Sequence, residues 1–215
     1  MALALFDLDN TLLNGDSDHS WGVYLADIGA VDPLEQKQRQ DFFYHQYVSG
    51  ELDIFEFCEY QFKIFKDTPR ATLETWRTTF VQEIIEPMII SGHAELLEQH
   101  RELGDNLIII TATNDFITAP IAQRLGVEHL IATRAEQING QFSGKVSGTP
   151  CFQEGKVKRM HEWIGKHGGS LDNSTFYSDS YNDLPLLEAA TTPIAVTPDD
   201  KLRAHAQSLD WKIID

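Results

Sequence analysis

The sequence predicts an α/β protein: a parallel-sheet core with a small all-helical cap inserted after its first strand. Three observations carry this. Apolar runs of strand length recur and are closed by turn or polar residues: Ala-Leu-Ala-Leu-Phe-Asp at 2–7, Leu-Ile-Ile-Ile-Thr at 107–111 and Ser-Thr-Phe-Tyr-Ser at 174–178. Such short runs suit strands buried on both faces. Helical patterns lie between them, and strands alternating with helices indicate a parallel sheet covered on both sides. Residues 17–86, by contrast, carry aromatic and amphipathic patterning with no obvious strand.

Taken in order, the strand at 2–7 leads directly into the insert. Trp21, Tyr24, Phe42, Phe43, Tyr47, Phe55, Phe57, Phe62, Phe65, Trp76 and Phe80 are expected to form the insert's own core, because a small unit needs large side chains to bury enough area. Pro33 and Pro69 start helices, Ser49-Gly50 ends one, and Glu86-Pro87 is the expected return hinge. A helix from His93 to Leu103 stops at Gly104, and one from Phe116 to Leu125 stops at Gly126. Leu130-Ile131-Ala132 is a short strand. Ile138-Asn139-Gly140-Gln141-Phe142 has the Asn-Gly centre of a two-residue hairpin. A helix from Lys156 to Ile164 precedes Gly165, and Ile194–Val196 and Trp211–Ile214 supply the last strands. The expected organisation is a Rossmann-like α/β core from 1–16 and 87–215, with 17–86 as the helical cap.

Composition narrows the function. With 42% hydrophobic and 23% charged residues the chain is an ordinary folded protein, not a disordered one. A formal net charge of −16 argues against nucleic acid or an anionic membrane as partner. Cys58 and Cys151 are far apart and in no CxxC pattern, so they read as reduced, buried thiols. The apolar start lacks a basic residue and meets Asp7 too early for a signal peptide. No apolar run approaches the ~18 residues of a membrane span. The expected location is the cytoplasm.

The chemistry concentrates at strand ends. Asp7 and Asp9 follow the first strand, Thr111 closes the second good strand, and Asp179, Asn182 and Asp183 follow the third. Ligands of open α/β sheets sit beyond the carboxyl ends of the strands, so these segments converge on one edge. Paired carboxylates at the end of a buried strand are costly unless they hold a cation or react. Taken singly, each has an ordinary reading. Asp7 and Asp9 suit a turn or helix-cap pair, Thr111 a plain strand end, Lys156 a solvated helix-start lysine, and Asp179 and Asp183 helix-start acids.

In order, Asp7-Leu8-Asp9-Asn10-Thr11, Thr111, Lys156 in Glu154-Gly155-Lys156-Val157, and Ser178-Asp179-Ser180-Tyr181-Asn182-Asp183 resemble the four motifs of the haloacid dehalogenase superfamily. The resemblance runs from residue 2 to about 190, and the insert looks like the small mobile cap of its phosphoserine-phosphatase-like branch. It implies a magnesium-dependent phosphohydrolase acting on a small phosphorylated metabolite. Asp7 becomes the nucleophile, forming an aspartyl-phosphate. Asp9 becomes the acid that protonates the leaving alcohol and then the base that activates water. Mg²⁺ would be held by Asp7 and Asp179 with the backbone carbonyl of Asp9, while Asn182 and Asp183 stand beside it. Thr111, the backbone around Ala112, and Lys156 would hold the phosphate oxygens.

Asp16 occupies the position where phosphoserine phosphatases meet the substrate amine, and His19 lies where the cap begins. The matching cap stretch, 50–62, has no arginine to clamp a carboxylate and carries Glu56 and Glu59, expected to repel one. A cationic amino-alcohol phosphate therefore fits better. The Asp16-Ser17 step and Thr111-Ala112-Thr113-Asn114 look like bacterial proteins associated with histidinol-phosphate phosphatase, which makes histidinol phosphate the leading candidate. Phosphoserine is the alternative substrate. The alternative classes are a phosphomutase-type transfer, using the same residues, and a non-catalytic magnesium-binding module, which would be expected to have lost Asp7 or Asp9.

Overall fold

The computed structural model describes residues 2–89 and 91–215, with side chains other than those of 91–95. The chain starts with β1 (Leu3–Phe6) and continues into helices α1 (Ser17–Asp27), α2 (Pro33–Ser49), α3 (Ile54–Asp67) and α4 (Arg70–Phe80). A π-helical stretch, Val81–Ile85, joins α4 to the short α5 (Glu86–Met88). Then come α6 (Ser91–Glu102), β2 (Asn106–Asn114), α7 (Asp115–Arg124), β3 (His129–Thr133), β4 (Ala135–Ile138) and β5 (Gln141–Val146). The chain closes with α8 (Glu154–His167), β6 (Ser174–Ser178), α9 (Leu184–Ala189), β7 (Thr192–Val196), α10 (Asp200–Ser208) and β8 (Lys212–Ile214).

Six strands form one parallel sheet in the order β3-β2-β1-β6-β7-β8. All six were legible as apolar runs, and the α/β class is as the sequence predicts. Because β1 lies between β2 and β6, with Phe6 level with Ile109 and Tyr177, the residues after these three strands meet at one sheet edge. Side chains alternate across the sheet. Leu3, Leu5, Ile108, Ile110 and Phe176 pack with Met160, Leu186, Leu187 and Leu202 on one face. Ala4, Phe6, Ile109 and Tyr177 join the second core on the other.

That second core runs without a break into residues 17–86. Trp21 packs edge-on to Phe80 and Phe116, and Phe65 meets both Phe116 and Phe142. Where the sequence leads us to expect a core private to the insert, the aromatics also cover the sheet's helix α7 and the hairpin. Phe42 and Phe55 are exposed. Pro33 begins α2 behind an Asp32 cap, and Gly50 ends it with φ 86°, as the sequence suggests. The insert's two ends lie side by side, since Leu13 bridges Ile89 and the Asn14 N–H donates to the Met88 carbonyl. These contacts, at residues 13–14 and 88–89, fall next to the Glu86-Pro87 step. The wide π turn immediately before Pro87 accommodates a residue with no N–H to donate and a ring that crowds a normal helical turn.

Strands β4 and β5 form the expected hairpin, with Ile138 opposite Gln141. Asn139 and Gly140 have φ of 52° and 79°, the left-handed pair of a tight hairpin turn. Phe142 is buried against Phe65, which fastens the hairpin to α3.

Candidate active site

Every residue singled out at the strand ends lines one cavity between the sheet edge and α1–α3, of about 180 Å³. Asp7 follows β1 directly and its N–H donates to the Tyr177 carbonyl, so the sheet itself fixes its backbone. The next residues turn sharply. Asn10 sits at φ 52°, and the N–H groups of Leu12 and Leu13 both return to the Leu8 carbonyl. Asp7 and Asp9 thereby stay at the mouth of the sheet while Leu8, Leu12 and Leu13 enter the core.

Lys156 enters from the start of α8 and is 2% exposed. Its Nζ donates to Asp7 Oδ1 at 2.9 Å and to Asp183 Oδ2 at 2.7 Å. The Ser178 hydroxyl donates to the same Asp183 oxygen at 2.7 Å. Gly155 precedes Lys156 because a Cβ there would stand 2.1 Å from the Pro150 carbonyl oxygen, far inside contact distance. Burial alone would lower the Lys156 pKa, but Asp183 and Asp7 outweigh it and hold the ammonium charged.

The carboxylates sit in the opposite balance. Burial, with Asp183 and Asp9 nearby, pushes Asp7 up to about 7 despite Lys156. Burial and the neighbouring Asp16 push Asp9 up to about 6, while hydrogen bonds oppose the shift. Two of those bonds orient it: the Ser17 N–H donates to Oδ1 at 2.6 Å and the Thr113 hydroxyl to Oδ2 at 2.8 Å. Asp179 is raised well above the carboxylate range by burial and by Asp7 and Asp183; it accepts from the Thr11 hydroxyl at 3.2 Å.

Thr111 and Ala112 lie where the sequence put them, but β2 does not end there. It runs on to Asn114 with a shift of register after Thr111, because the Thr113 N–H turns to the Thr111 hydroxyl. Asn114 then caps α7 through the Ile117 N–H. Asn182 is tied to Gln153 at 3.0 Å and to the Tyr47 carbonyl at 3.2 Å, linking the loop after β6 to α2. Asp16 caps α1, accepting from the His19 N–H at 2.9 Å, and stays open to solvent at the cavity rim. His19 lines the same rim. Glu56 and Glu59 are exposed and do not line the cavity. Helical spacing turns Cys58, Gln61, Phe62 and Phe65 inward instead, and Glu56 pairs with Arg39 at 3.2 Å. The expected repulsion by these glutamates is absent.

Sequence reasoning missed Thr113, Tyr47, Asp18 and Gln61. Thr113 had a signal, since its spacing of two from Thr111 puts both hydroxyls on the same side of a strand. The others are brought in by tertiary packing alone.

A model of the haloacid dehalogenase-like hydrolases matches residues 4–188, and the chain belongs to that family. It is 37% identical over 99% of its length to a histidinol-phosphatase of Neisseria meningitidis serogroup C (strain 8013), covering 98% of that protein. It is 32% identical over its full length to phosphoserine phosphatase SerB1 of Mycobacterium tuberculosis (strain H37Rv), covering 70% of it. A crystal structure of a protein with unknown function from Bordetella pertussis Tohama I superposes with a TM-score of 0.93 at 42% identity, over 99% of this chain and 97% of that one.

Such a family implies a divalent cation, and the donor set agrees with one. Asp179 has no cationic side chain within ion-pair distance among the described residues, because Lys156 is shared between Asp7 and Asp183. No three carboxylate, histidine or cysteine side chains among the described residues stand close enough to enclose an ion. A site of two carboxylates completed by backbone, water and substrate oxygens suits Mg²⁺, which keeps several waters.

Proposed function

We propose that this phosphatase hydrolyses a small cationic amino-alcohol phosphate through an aspartyl-phosphate on Asp7, with Mg²⁺ as cofactor and histidinol phosphate as the leading substrate. The observation that carries the reading is the charge of the cavity. Six aspartates and one lysine line it, and that lysine is already held by Asp7 and Asp183. A substrate with a second anionic group finds no free lysine or arginine there among the described residues, whereas an ammonium finds several carboxylates.

Lys156 fixes one oxygen of Asp7 and leaves the other to attack phosphorus. As the P–O bond to the ester breaks, Asp9 gives its proton to the leaving oxygen, the acid form being favoured by burial. The ionised Asp9 then takes a proton from water, which attacks the phosphoryl group and releases Asp7 and inorganic phosphate. The Ser17 N–H and Thr113 hydroxyl hold Asp9 in line for both transfers. Thr111 keeps its O–H as a donor toward a phosphate oxygen, since its own oxygen accepts from Thr113 N–H. Bound Mg²⁺ would neutralise the charge of the phosphate and of the carboxylates that face it.

The identity with a histidinol-phosphatase over both whole chains supports the substrate. Phosphoserine is disfavoured by the want of a carboxylate clamp. Arg39, on α2, is paired with Glu56, stacked over Phe43 and Tyr60, and does not line the cavity. No helix among the described residues is long and apolar enough to cross a membrane, and two buried, unpaired cysteines support a reducing compartment such as the cytoplasm. Phosphate release from histidinol phosphate, phosphoserine and sugar phosphates, with and without Mg²⁺, tests the reading. Histidinol phosphate should rank first; preference for phosphoserine or a sugar phosphate contradicts it.

A further inference from the structure

The sequence points to Asp16 as the partner of the substrate amine, but the fold gives that residue another task. Asp16 is exposed at the cavity rim, and its Oδ1 accepts from the His19 N–H as the cap of α1. Asp18, two residues further on, is 8% exposed and also lines the cavity. Among the described residues its one side-chain partner is Gln61 of α3, whose amide donates to Oδ2. It takes part in no ion pair among the described residues, so an uncompensated carboxylate stands buried at the cavity wall.

The surroundings define what completes it. With its NH₂ turned to Asp18, the Gln61 side chain keeps its own carbonyl oxygen as a further acceptor beside the cavity. Phe43, Phe57 and Tyr60 supply an apolar wall. A carboxylate and an amide oxygen against apolar rings suit a primary ammonium, which has three donors and a short apolar stem. A carboxylate, phosphate or sugar hydroxyl array lacks that match. Burial with Asp16 and Asp9 nearby raises the Asp18 carboxyl well above its ordinary value, and a bound ammonium is the ligand that would keep it ionised.

We propose that Asp18, oriented by Gln61, binds the ammonium of the substrate and sets the preference for amino-alcohol phosphates, with Asp16 acting as a helix cap. The proposal rests on the reading of this cavity as a phosphate-ester site. It predicts that selectivity for an amine over its uncharged acetamide follows residue 18 and not residue 16.

The test measures binding without turnover. Histidinol phosphate, serinol phosphate and ethanolamine phosphate, each beside its N-acetyl derivative, are titrated by calorimetry into Asp7→Asn protein, alone and with Asp18→Asn or Asp16→Asn added. Asp18→Asn is nearly isosteric and still accepts from Gln61, so the fold should persist; circular dichroism checks this. The amine-to-acetamide affinity ratio of the best pair should fall about 10- to 100-fold with Asp18→Asn, the range of a charge-assisted hydrogen bond. It should fall less with Asp16→Asn, whose amide oxygen can still cap α1 and whose thermal midpoint should stay close to that of the parent. Gln61→Leu should lower the ratio in the direction of Asp18→Asn. An equal ratio before and after Asp18→Asn, a larger change with Asp16→Asn, or no preference for the amine in any pair overturns the proposal. Failure of the phosphatase reading registers separately, as absence of phosphate release by the unmodified enzyme.

Discussion

Replacing Lys156 with methionine keeps the apolar stem and removes only the ammonium, which makes it the sharpest probe of how this site is built. In the native protein Nζ lies 2.9 Å from Asp7 and 2.7 Å from Asp183, and the lysine is 2% exposed. Removing one member of a buried ion pair costs about 3–5 kcal/mol, because the charge left behind has neither water nor partner. Against a typical total of about 5–15 kcal/mol, Lys156→Met should be marginally folded at pH 8. The loss should shrink at pH 5, for a physical reason with a definite sign. Asp7 already has its folded-state pKa raised to about 7, and losing Lys156, which opposes that rise, raises it further. A carboxylate with a raised folded pKa favours the native state below its unfolded pKa near 4 and loses that contribution as pH climbs through the folded value. Urea denaturation of metal-free wild type and variant at pH 5 and 8 reads the difference. Adding Asp183→Asn to Lys156→Met should recover stability at pH 8 while phosphate release stays lost. A variant within about 0.5 kcal/mol of wild type at pH 8, a scale ordinary for surface changes, would refute the buried triad.

Other consequences are open to direct measurement. Asp9→Asn should lower phosphate release by about 10²–10⁴-fold, the usual share of general acid–base catalysis, with the circular dichroism spectrum unchanged. Thr113→Val removes a hydrogen bond that lowers the Asp9 pKa. It should therefore shift the Asp9-dependent limb of the pH–rate profile to higher pH, whereas an unmoved profile would deny the contact. The metal-free protein should lose thermal stability as pH rises from about 4 to 7, because Asp7 and Asp9 both have raised folded pKa values and their contribution disappears across that window. Added Mg²⁺ should raise the midpoint most above pH 7, where the carboxylates it would bind are ionised; an equal effect at pH 5 would point to binding elsewhere.

The sheet was legible because its strands are apolar runs that few other structures permit, and because β1, β2 and β6 each run into polar residues whose meeting follows from parallel topology. The hairpin was legible for a different reason: Asn139-Gly140 supplies two consecutive left-handed residues. The insert was less transparent. Its amphipathic helices show which side chains are buried, but not that Trp21 and Phe65 would pack on Phe116 across a break in sequence. The same limit explains Glu56 and Glu59, read as facing the substrate yet turned outward by the α3 periodicity that buries Cys58 and Gln61. Asp7, Asp9, Thr111, Lys156 and Asp179 stand together as the motif order implied. Ser17 on Asp9, Tyr47 against Ser180 at 2.7 Å, and Asp18 against Gln61 depend on elements distant in sequence, which local pattern does not encode.

The central claim is that Asp7 carries the phosphoryl group, and the most direct measurement is to look for it there. Asp9→Asn protein mixed with histidinol phosphate and Mg²⁺, quenched in acid within the first turnover and mapped by mass spectrometry, should show a phosphoryl adduct on the peptide containing Asp7. The adduct should be missing from Asp7→Asn, which should release no phosphate. Steady release by Asp7→Asn, or an adduct on any other residue, would contradict the account.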